Sequence, residues 1–118
     1  MKILIAEDDT FFQKFYSVQL AEKGYQIDVA KDGVEAIEKL KSFQPDVMLL
    51  DIIMPNKDGF DVLEAMADDP SIKTSVVVFS TLGQEEDVKR AMNLGAKGYV
   101  NKSFFDLDGL LKKLNELS

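Results

Sequence analysis

The stretch Val47-Met48-Leu49-Leu50-Asp51 decides the fold of this chain. Four consecutive apolar residues are typical of a strand that is buried on both faces, and the carboxylate that follows marks the end of that strand. Two other stretches repeat the pattern: Ile3–Ala6 is followed by an acidic triplet, and Val76–Phe79 is followed by Ser80. Strands buried on both faces predict a parallel sheet with helices on each side.

The segments between these strands complete a repeated strand–helix pattern. Tyr25–Ala30 alternates as expected for a strand near the sheet edge, and Tyr99–Asn101 is a short fifth strand. Thr10 is the predicted N-cap of the first helix, with Gln13 reaching back to it, and Asp32 opens the second. The predicted apolar stripes of the five helices are Phe12, Phe15, Tyr16 and Leu20; Val34, Ile37 and Leu40; Phe60, Leu63 and Met66; Val88, Ala91 and Met92; and Leu107, Leu110, Leu111, Leu114 and Leu117. Right-handed crossovers between such units predict an α/β, doubly wound fold.

Length and composition limit the classes of protein to consider. The 118 residues correspond to one domain, and 14 basic against 21 acidic residues give a net charge of −7, which disfavours direct binding of nucleic acid. The absence of Cys and His excludes disulfides, Cys–His zinc sites and catalysis by imidazole. The longest apolar runs, such as Ile3–Ala6, are far shorter than the roughly 20 residues of a membrane helix. We therefore expect a cytoplasmic domain that does not associate with membranes.

Chemically distinctive residues stand at the carboxyl ends of the predicted strands. They are Glu7, Asp8 and Asp9 after the first strand, Asp51 after the third, Ser80 and Thr81 after the fourth, and Lys102 after the fifth. In an open parallel sheet these ends meet at one edge, where ligands bind. One lysine cannot neutralise several carboxylates, whereas a hard divalent cation with oxygen ligands can. We therefore predict a site for Mg²⁺, with Mn²⁺ as a substitute, of the kind that binds phosphoryl groups.

Each of these residues also has a simpler explanation. Asp8 and Asp9 are acids near a helix N-terminus, where the helix dipole favours them. Asp51 and Ser80 are ordinary polar residues for a strand end, and Lys102 has the usual character of a solvated surface charge. Each simpler explanation accounts for one residue but not for the position of all of them at the same predicted edge of the sheet. Their common position favours a single functional site.

Four segments of the chain match a known family in order and spacing. They are Ile3-Leu4-Ile5-Ala6-Glu7-Asp8-Asp9, Asp51-Ile52-Ile53-Met54-Pro55-Asn56-Lys57-Asp58-Gly59, Val78-Phe79-Ser80-Thr81 and Gly95-Ala96-Lys97-Gly98-Tyr99-Val100-Asn101-Lys102. With these segments, residues 1–118 resemble the receiver domain of bacterial two-component response regulators. The resemblance implies a flavodoxin-like (βα)5 three-layer sandwich with strand order 2-1-3-4-5. It also implies a domain that is not an enzyme, beyond catalysing its own phosphorylation and dephosphorylation.

The resemblance gives a role to the acidic residues. Asp51 would accept a phosphoryl group as an acyl phosphate, which is sound chemistry for a carboxylate nucleophile. Mg²⁺ would be bound by Asp8 directly, by Glu7 through water, and by Asp51 itself. The backbone carbonyl of Ile53 would complete the protein's share of the coordination, while Asp9 would serve the first helix.

The resemblance also implies partners and a switch. A sensor histidine kinase or phosphotransfer protein would donate the group from a phosphohistidine. Lys102 and Ser80 would bind the phosphoryl oxygens, and the movement of Ser80 would let Tyr99 turn inward. The face formed by the fourth helix, fifth strand and fifth helix would then change shape and bind a downstream protein. We expect a monomer or a phosphorylation-dependent dimer.

One departure from the family follows the active-site lysine. The family usually has Pro there, often with a cis bond, whereas here the pair is Lys102-Ser103. A cis bond before a non-proline residue costs about 2.5–4 kcal/mol. We therefore predict a trans bond, an altered loop and a less rigid Lys102.

A second departure concerns two positions beside the acceptor. Ile53 lies two residues after Asp51, and Leu82 lies two residues after Ser80. Both are apolar and cannot orient an attacking water by hydrogen bonding. We therefore predict slow loss of the phosphoryl group.

Three other functions remain as alternatives or are rejected. Phosphatases of the haloacid-dehalogenase type use an Asp nucleophile and Mg²⁺, but Glu7 would stand at the nucleophile position and the chain is short for that family. A flavin-binding electron carrier is rejected because acids after the first strand would repel the flavin phosphate. A phosphorylation-independent scaffold is disfavoured by the complete set of acids, hydroxyl and lysine.

Overall fold

The described residues of this computed structural model are 1–81, 83–102 and 107–117, and they contain one five-stranded parallel sheet. The strands are β1 (Lys2–Ala6), β2 (Gln26–Ala30), β3 (Val47–Leu50), β4 (Ser75–Ser80) and β5 (Gly98–Asn101). Their order in the sheet is β2-β1-β3-β4-β5. This confirms the predicted order and places the reversal of strand order between β1 and β3.

Five helices cover the two faces of the sheet. They are α1 (Thr10–Glu22), α2 (Gly33–Ser42), α3 (Gly59–Ala67), α4 (Glu85–Asn93) and α5 (Leu107–Leu117). One core joins side chains of α2, α3 and α4 to one face of the sheet, and a second core joins α1 and α5 to the other. The three-layer, doubly wound architecture is therefore confirmed. None of the helices in the described ranges combines the length and apolar character needed to cross a bilayer.

The strand register brings the predicted site residues to one edge. Ala6 pairs with Leu50, and Leu50 pairs with Val78. The backbone N–H of Asp51 donates to the carbonyl of Ala6 at 2.9 Å. Because Glu7 directly follows Ala6, the first acids after β1 and β3 are neighbours in space.

The start of α1 differs from the prediction. The N-cap is Asp9, whose carboxylate accepts hydrogen bonds from the backbone N–H groups of Phe11 and Phe12 at 2.8 and 3.3 Å. The prediction of Thr10 as the N-cap was wrong by one residue. The Gln13 amide does not reach back to Thr10 and instead donates to the backbone carbonyl of Glu7. This bond fixes the acidic loop directly to the first turn of α1.

Three predicted stripe residues lie on the solvent side of their helices. Phe15 in α1 is 36% exposed, Val34 in α2 is 40% exposed and Met92 in α4 is 44% exposed, so their assignment to the core was wrong. The buried face of α2 is centred on Ala36 and Leu40, and that of α4 on Ala91. Ala36 and Ala91 are fully buried, whereas Val34 and Met92 are turned outward.

Candidate functional site

Three carboxylates form a cluster at the carboxyl edge of the central strands. Glu7, Asp8 and Asp51 each place one carboxylate oxygen so that the three atoms lie within 4.8 Å of one another. Glu7 and Asp51 are only 3% and 7% exposed, whereas Asp8 is exposed. The cluster therefore has a buried floor and an open side, and it could bind a metal ion.

The electrostatics of Glu7 show that the cluster is short of positive charge. Burial raises the pKa of Glu7 well above its ordinary value, and the adjacent Asp51 raises it further. Glu7 Oε2 is buried without a hydrogen-bond partner. A buried carboxylate oxygen with no donor is costly, and a cation bound beside it would remove that cost.

Lys102 supplies one positive charge to this cluster. Its ammonium is hydrogen-bonded to Glu7 Oε1 and lies 3.2 Å from Asp51 Oδ2. Only 6% of the Lys102 side chain is exposed, so the group is not a solvated surface lysine. The isomer of the Lys102–Ser103 bond stays a prediction, because Ser103 lies outside the described residues.

Ser80 ends β4, and Tyr99 lies within the neighbouring strand β5, two residues before the partner of Ser80 in the strand register. Ser80 is fully buried, and Tyr99 is half-buried and packs against the core under α2, α3 and α4. Burial raises the pKa of Tyr99, while a hydrogen bond with the Ser80 side chain acts in the opposite direction. The two residues predicted to form a switch are therefore in direct contact.

The loop after β3 folds back on the Asp51 carboxylate. The backbone N–H of Ile53 donates to Asp51 Oδ1 at 3.4 Å, while the Ile53 side chain is exposed. The predicted effect of this apolar residue on loss of the phosphoryl group stays a prediction. The second apolar position, Leu82, lies outside the described residues.

A contact that the sequence analysis missed ties this loop to the start of α2. The Asn56 side chain donates to Asp32 Oδ2 at 2.7 Å, and the backbone N–H of Gly33 donates to the carbonyl of Lys57 at 3.0 Å. A Cβ on Gly33 would lie 2.2 Å from the same carbonyl oxygen, so only glycine permits this approach. Asn56 has a φ of 67°, a region that Asn tolerates better than most residues. The pair Asp32-Gly33 was the one sequence signal for this contact, but we interpreted it only as the start of a helix.

The family is decided by comparison of the whole chain. A family model described as "Response regulator receiver domain" matches residues 3–115. The chain belongs to this family of receiver domains. This receiver domain is 41% identical over 105 residues to a chemotaxis protein CheY of Treponema pallidum, covering 86% of this chain and 72% of that protein. It is 34% identical to the CheY of Thermotoga maritima, covering 99% and 97%.

Other relatives are longer than this receiver domain. It is 36% identical over 117 residues to response regulator RR06 of Streptococcus pneumoniae, but it spans only 52% of that protein. Among solved structures, a chain of the CheX-CheY-BeF3-Mg complex of Borrelia burgdorferi is 32% identical, with a TM-score of 0.89 and coverage of 99% of this chain and 88% of that chain. CheY4 of Vibrio cholerae is 29% identical, with a TM-score of 0.90 and coverage of 99% and 98%. The chain is thus a receiver domain of a two-component response regulator.

Proposed function

We propose that this receiver domain, residues 1–118, accepts a phosphoryl group on Asp51 from the phosphohistidine of a sensor histidine kinase or phosphotransfer protein. The observation that carries the proposal is the buried Asp51 carboxylate, which lies in a cluster with Glu7 and Asp8 and 3.2 Å from the Lys102 ammonium. This arrangement combines a nucleophile, ligands for a cation and a fixed positive charge. Those are the parts that phosphoryl transfer needs.

The acidic cluster fits Mg²⁺. Its donors are all oxygens, and the unpartnered Glu7 Oε2 is an atom that a hydrated cation would satisfy. Asp8 and Asp51 would hold the ion directly and Glu7 through water, with the carbonyl of Ile53 as a further ligand. When bound, the ion neutralises the carboxylates and the developing charge on the phosphoryl oxygens. Mn²⁺ has similar preferences and would substitute.

The chain's own residues perform the transfer by placement and charge. An oxygen of Asp51 attacks phosphorus, the bond between phosphorus and the donor's histidine nitrogen breaks, and that nitrogen keeps the electron pair. Lys102 stabilises the oxygens that gain negative charge, and the Ser80 hydroxyl donates to another. The domain catalyses only this transfer and the hydrolysis of its own acyl phosphate, in which water attacks phosphorus and the Asp51 carboxylate leaves, so it is not an enzyme with an external substrate.

The Ser80–Tyr99 contact supports a route from the acceptor to the surface. A phosphoryl group on Asp51 attracts the Ser80 hydroxyl, and Tyr99 must then find a new packing. Tyr99 lies in β5, which follows α4 and precedes α5 along the chain. A new packing of Tyr99 would change the shape of the α4-β5-α5 face, which then binds a downstream protein. A change of roughly 1–3 kcal/mol in the relative energies of the two packings is sufficient for a useful shift. The same face would join two copies if phosphorylation converts a monomer to a dimer.

Incubation with acetyl phosphate and Mg²⁺ should add a single phosphoryl group to the protein, measured as the mass of the intact chain. With EDTA the uptake should fall to background, because the cluster then keeps its unbalanced carboxylates. Equal uptake in EDTA would contradict the metal requirement. Repeated turnover of a phosphomonoester would instead support the Asp-nucleophile phosphatase.

Replacing Ile53 with Asn should shorten the lifetime of the phosphorylated form. An amide at this exposed position can hydrogen-bond an attacking water, and an acceleration on the order of tenfold corresponds to about 1.4 kcal/mol of barrier. The decay is followed by loss of the acyl phosphate after the donor is removed. Ile53→Val is the matched control and should keep the slow decay, and Leu82→Glu tests the second position. No acceleration in either Ile53→Asn or Leu82→Glu would contradict the prediction.

A further inference from the structure

Aromatic rings lie against the buried ammonium of Lys102. The centroid of the Phe12 ring is 4.7 Å from Lys102 Nζ, and that of Phe79 is 5.8 Å away. Both distances are within the range of about 6 Å over which a ring face attracts a cation. The ammonium therefore has two kinds of neighbour, the carboxylates of Glu7 and Asp51 and the faces of two phenyl rings.

A third ring holds the first two in place. Tyr16 stacks on Phe12 with centroids 5.9 Å apart and an angle of 8° between the ring planes. The same ring meets Phe79 edge to face, at 4.8 Å and 80°. Phe12 and Tyr16 are one turn apart on α1, and Phe79 is in β4, so the rings connect two elements of the fold. Tyr16 and Phe79 are both buried, which restricts their movement.

We propose that Phe12 and Phe79 are positioning residues for phosphoryl transfer, because their ring faces hold the Lys102 ammonium at Glu7 and Asp51. This inference rests on the proposed function. A free lysine side chain has many rotamers, so it needs a constraint to present its charge at one point. An aliphatic side chain of similar size would exclude water but would not attract the cation. The sequence after Lys102 lacks the family's usual Pro, and the rings provide a constraint from the other elements.

A substitution at Phe12 can distinguish a role in positioning Lys102 from a role in packing alone. Replacement of Phe12 by Leu keeps an apolar side chain in the core beneath α1 but removes the ring face. If packing alone matters, the variant loses some stability and its transfer rate is unchanged. If the ring holds Lys102, the transfer rate falls and the magnetic environment of the lysine changes.

The experiment compares the variants Phe12→Leu and Phe12→Tyr with the wild-type protein. We expect Phe12→Leu to lower the rate constant for phosphorylation by acetyl phosphate at saturating Mg²⁺ by about fivefold to tenfold. The NMR signals of the Lys102 ε-methylene protons should lose their upfield ring-current shift in the same variant. Phe12→Tyr keeps the ring and should keep both properties. The matched control is Phe43→Leu, which removes a ring 5.2 Å from Lys2 Nζ and should leave both unchanged.

Several results would overturn the inference. A wild-type rate in Phe12→Leu would do so, and so would a lower rate with an unchanged Lys102 signal, which would indicate a packing role. Should Phe12→Leu fail to fold, Phe12→Met takes its place with the same expected results. Failure of the wild-type protein to take up a phosphoryl group would instead count against the proposed function. In that case the Lys102 signals of Phe12→Leu still decide whether the ring holds the ammonium.

Discussion

Replacing Asp51 with Asn is expected to abolish phosphoryl uptake from acetyl phosphate. An amide is not a nucleophile for phosphorus under these conditions, so no acyl phosphate forms. The same variant should lose much of the stabilisation by Mg²⁺, because one of the three clustered carboxylates is removed. A tenfold weaker affinity lowers that stabilisation by about 1.4 kcal/mol at saturating Mg²⁺. Intact mass measures the uptake, and unfolding in urea with and without Mg²⁺ measures the stabilisation.

The control for this variant is Asp9→Asn. Asp9 is adjacent to the cluster in sequence, but its carboxylate caps α1, and Asn is an equally good N-cap. Asp9→Asn should therefore keep wild-type uptake and the wild-type response to Mg²⁺. Uptake that persists in Asp51→Asn would place the acceptor on another residue and would contradict the proposed function.

The fold could be predicted because the strands are unusually distinct. Val47–Leu50 and the other continuous apolar runs are too short for core helices, and each is followed by a polar strand end. The failures were local. Thr10 and Asp9 are both good N-caps, and the choice between them depends on where the chain leaves β1. Val34 and Met92 were misplaced because a stripe of large apolar residues does not reveal that a neighbouring alanine faces the sheet.

The candidate site could be predicted only in part. The convergence of Glu7 and Asp51 follows from parallel strand pairing, and the structure places both as expected. Which carboxylates Lys102 contacts depends on the side-chain conformation of one long residue, which no pattern in the sequence specifies. The rings around Lys102 were not predicted, because Phe12 already fits the apolar stripe of α1. Its contact with Lys102 joins residues that are far apart in the sequence.

Replacing Lys102 with Met should make the metal-free protein much less stable. The change keeps the length of the side chain but leaves Glu7 and Asp51 buried without the cation that now pairs with both. Removal of one partner from a buried ion pair typically costs about 3–5 kcal/mol. We expect a loss of that order in urea unfolding with EDTA, together with a large fall in the rate of phosphoryl uptake.

Mg²⁺ should recover more stability in Lys102→Met than in the wild-type protein. Without the lysine charge, the cluster attracts a divalent cation more strongly, so the variant binds Mg²⁺ more tightly while it transfers the phosphoryl group more slowly. Asp51→Asn should do the opposite and bind Mg²⁺ more weakly. Lys97→Met, at an exposed lysine just before β5, is the control and should change neither property. If Lys102→Met unfolds in EDTA at the wild-type urea concentration, Lys102 does not balance the buried carboxylates. Opposite changes in Mg²⁺ affinity would mean that the Lys102 ammonium and Mg²⁺ neutralise the same two carboxylates, those of Glu7 and Asp51. Phosphoryl transfer would then require both positive groups, because neither alone neutralises the cluster.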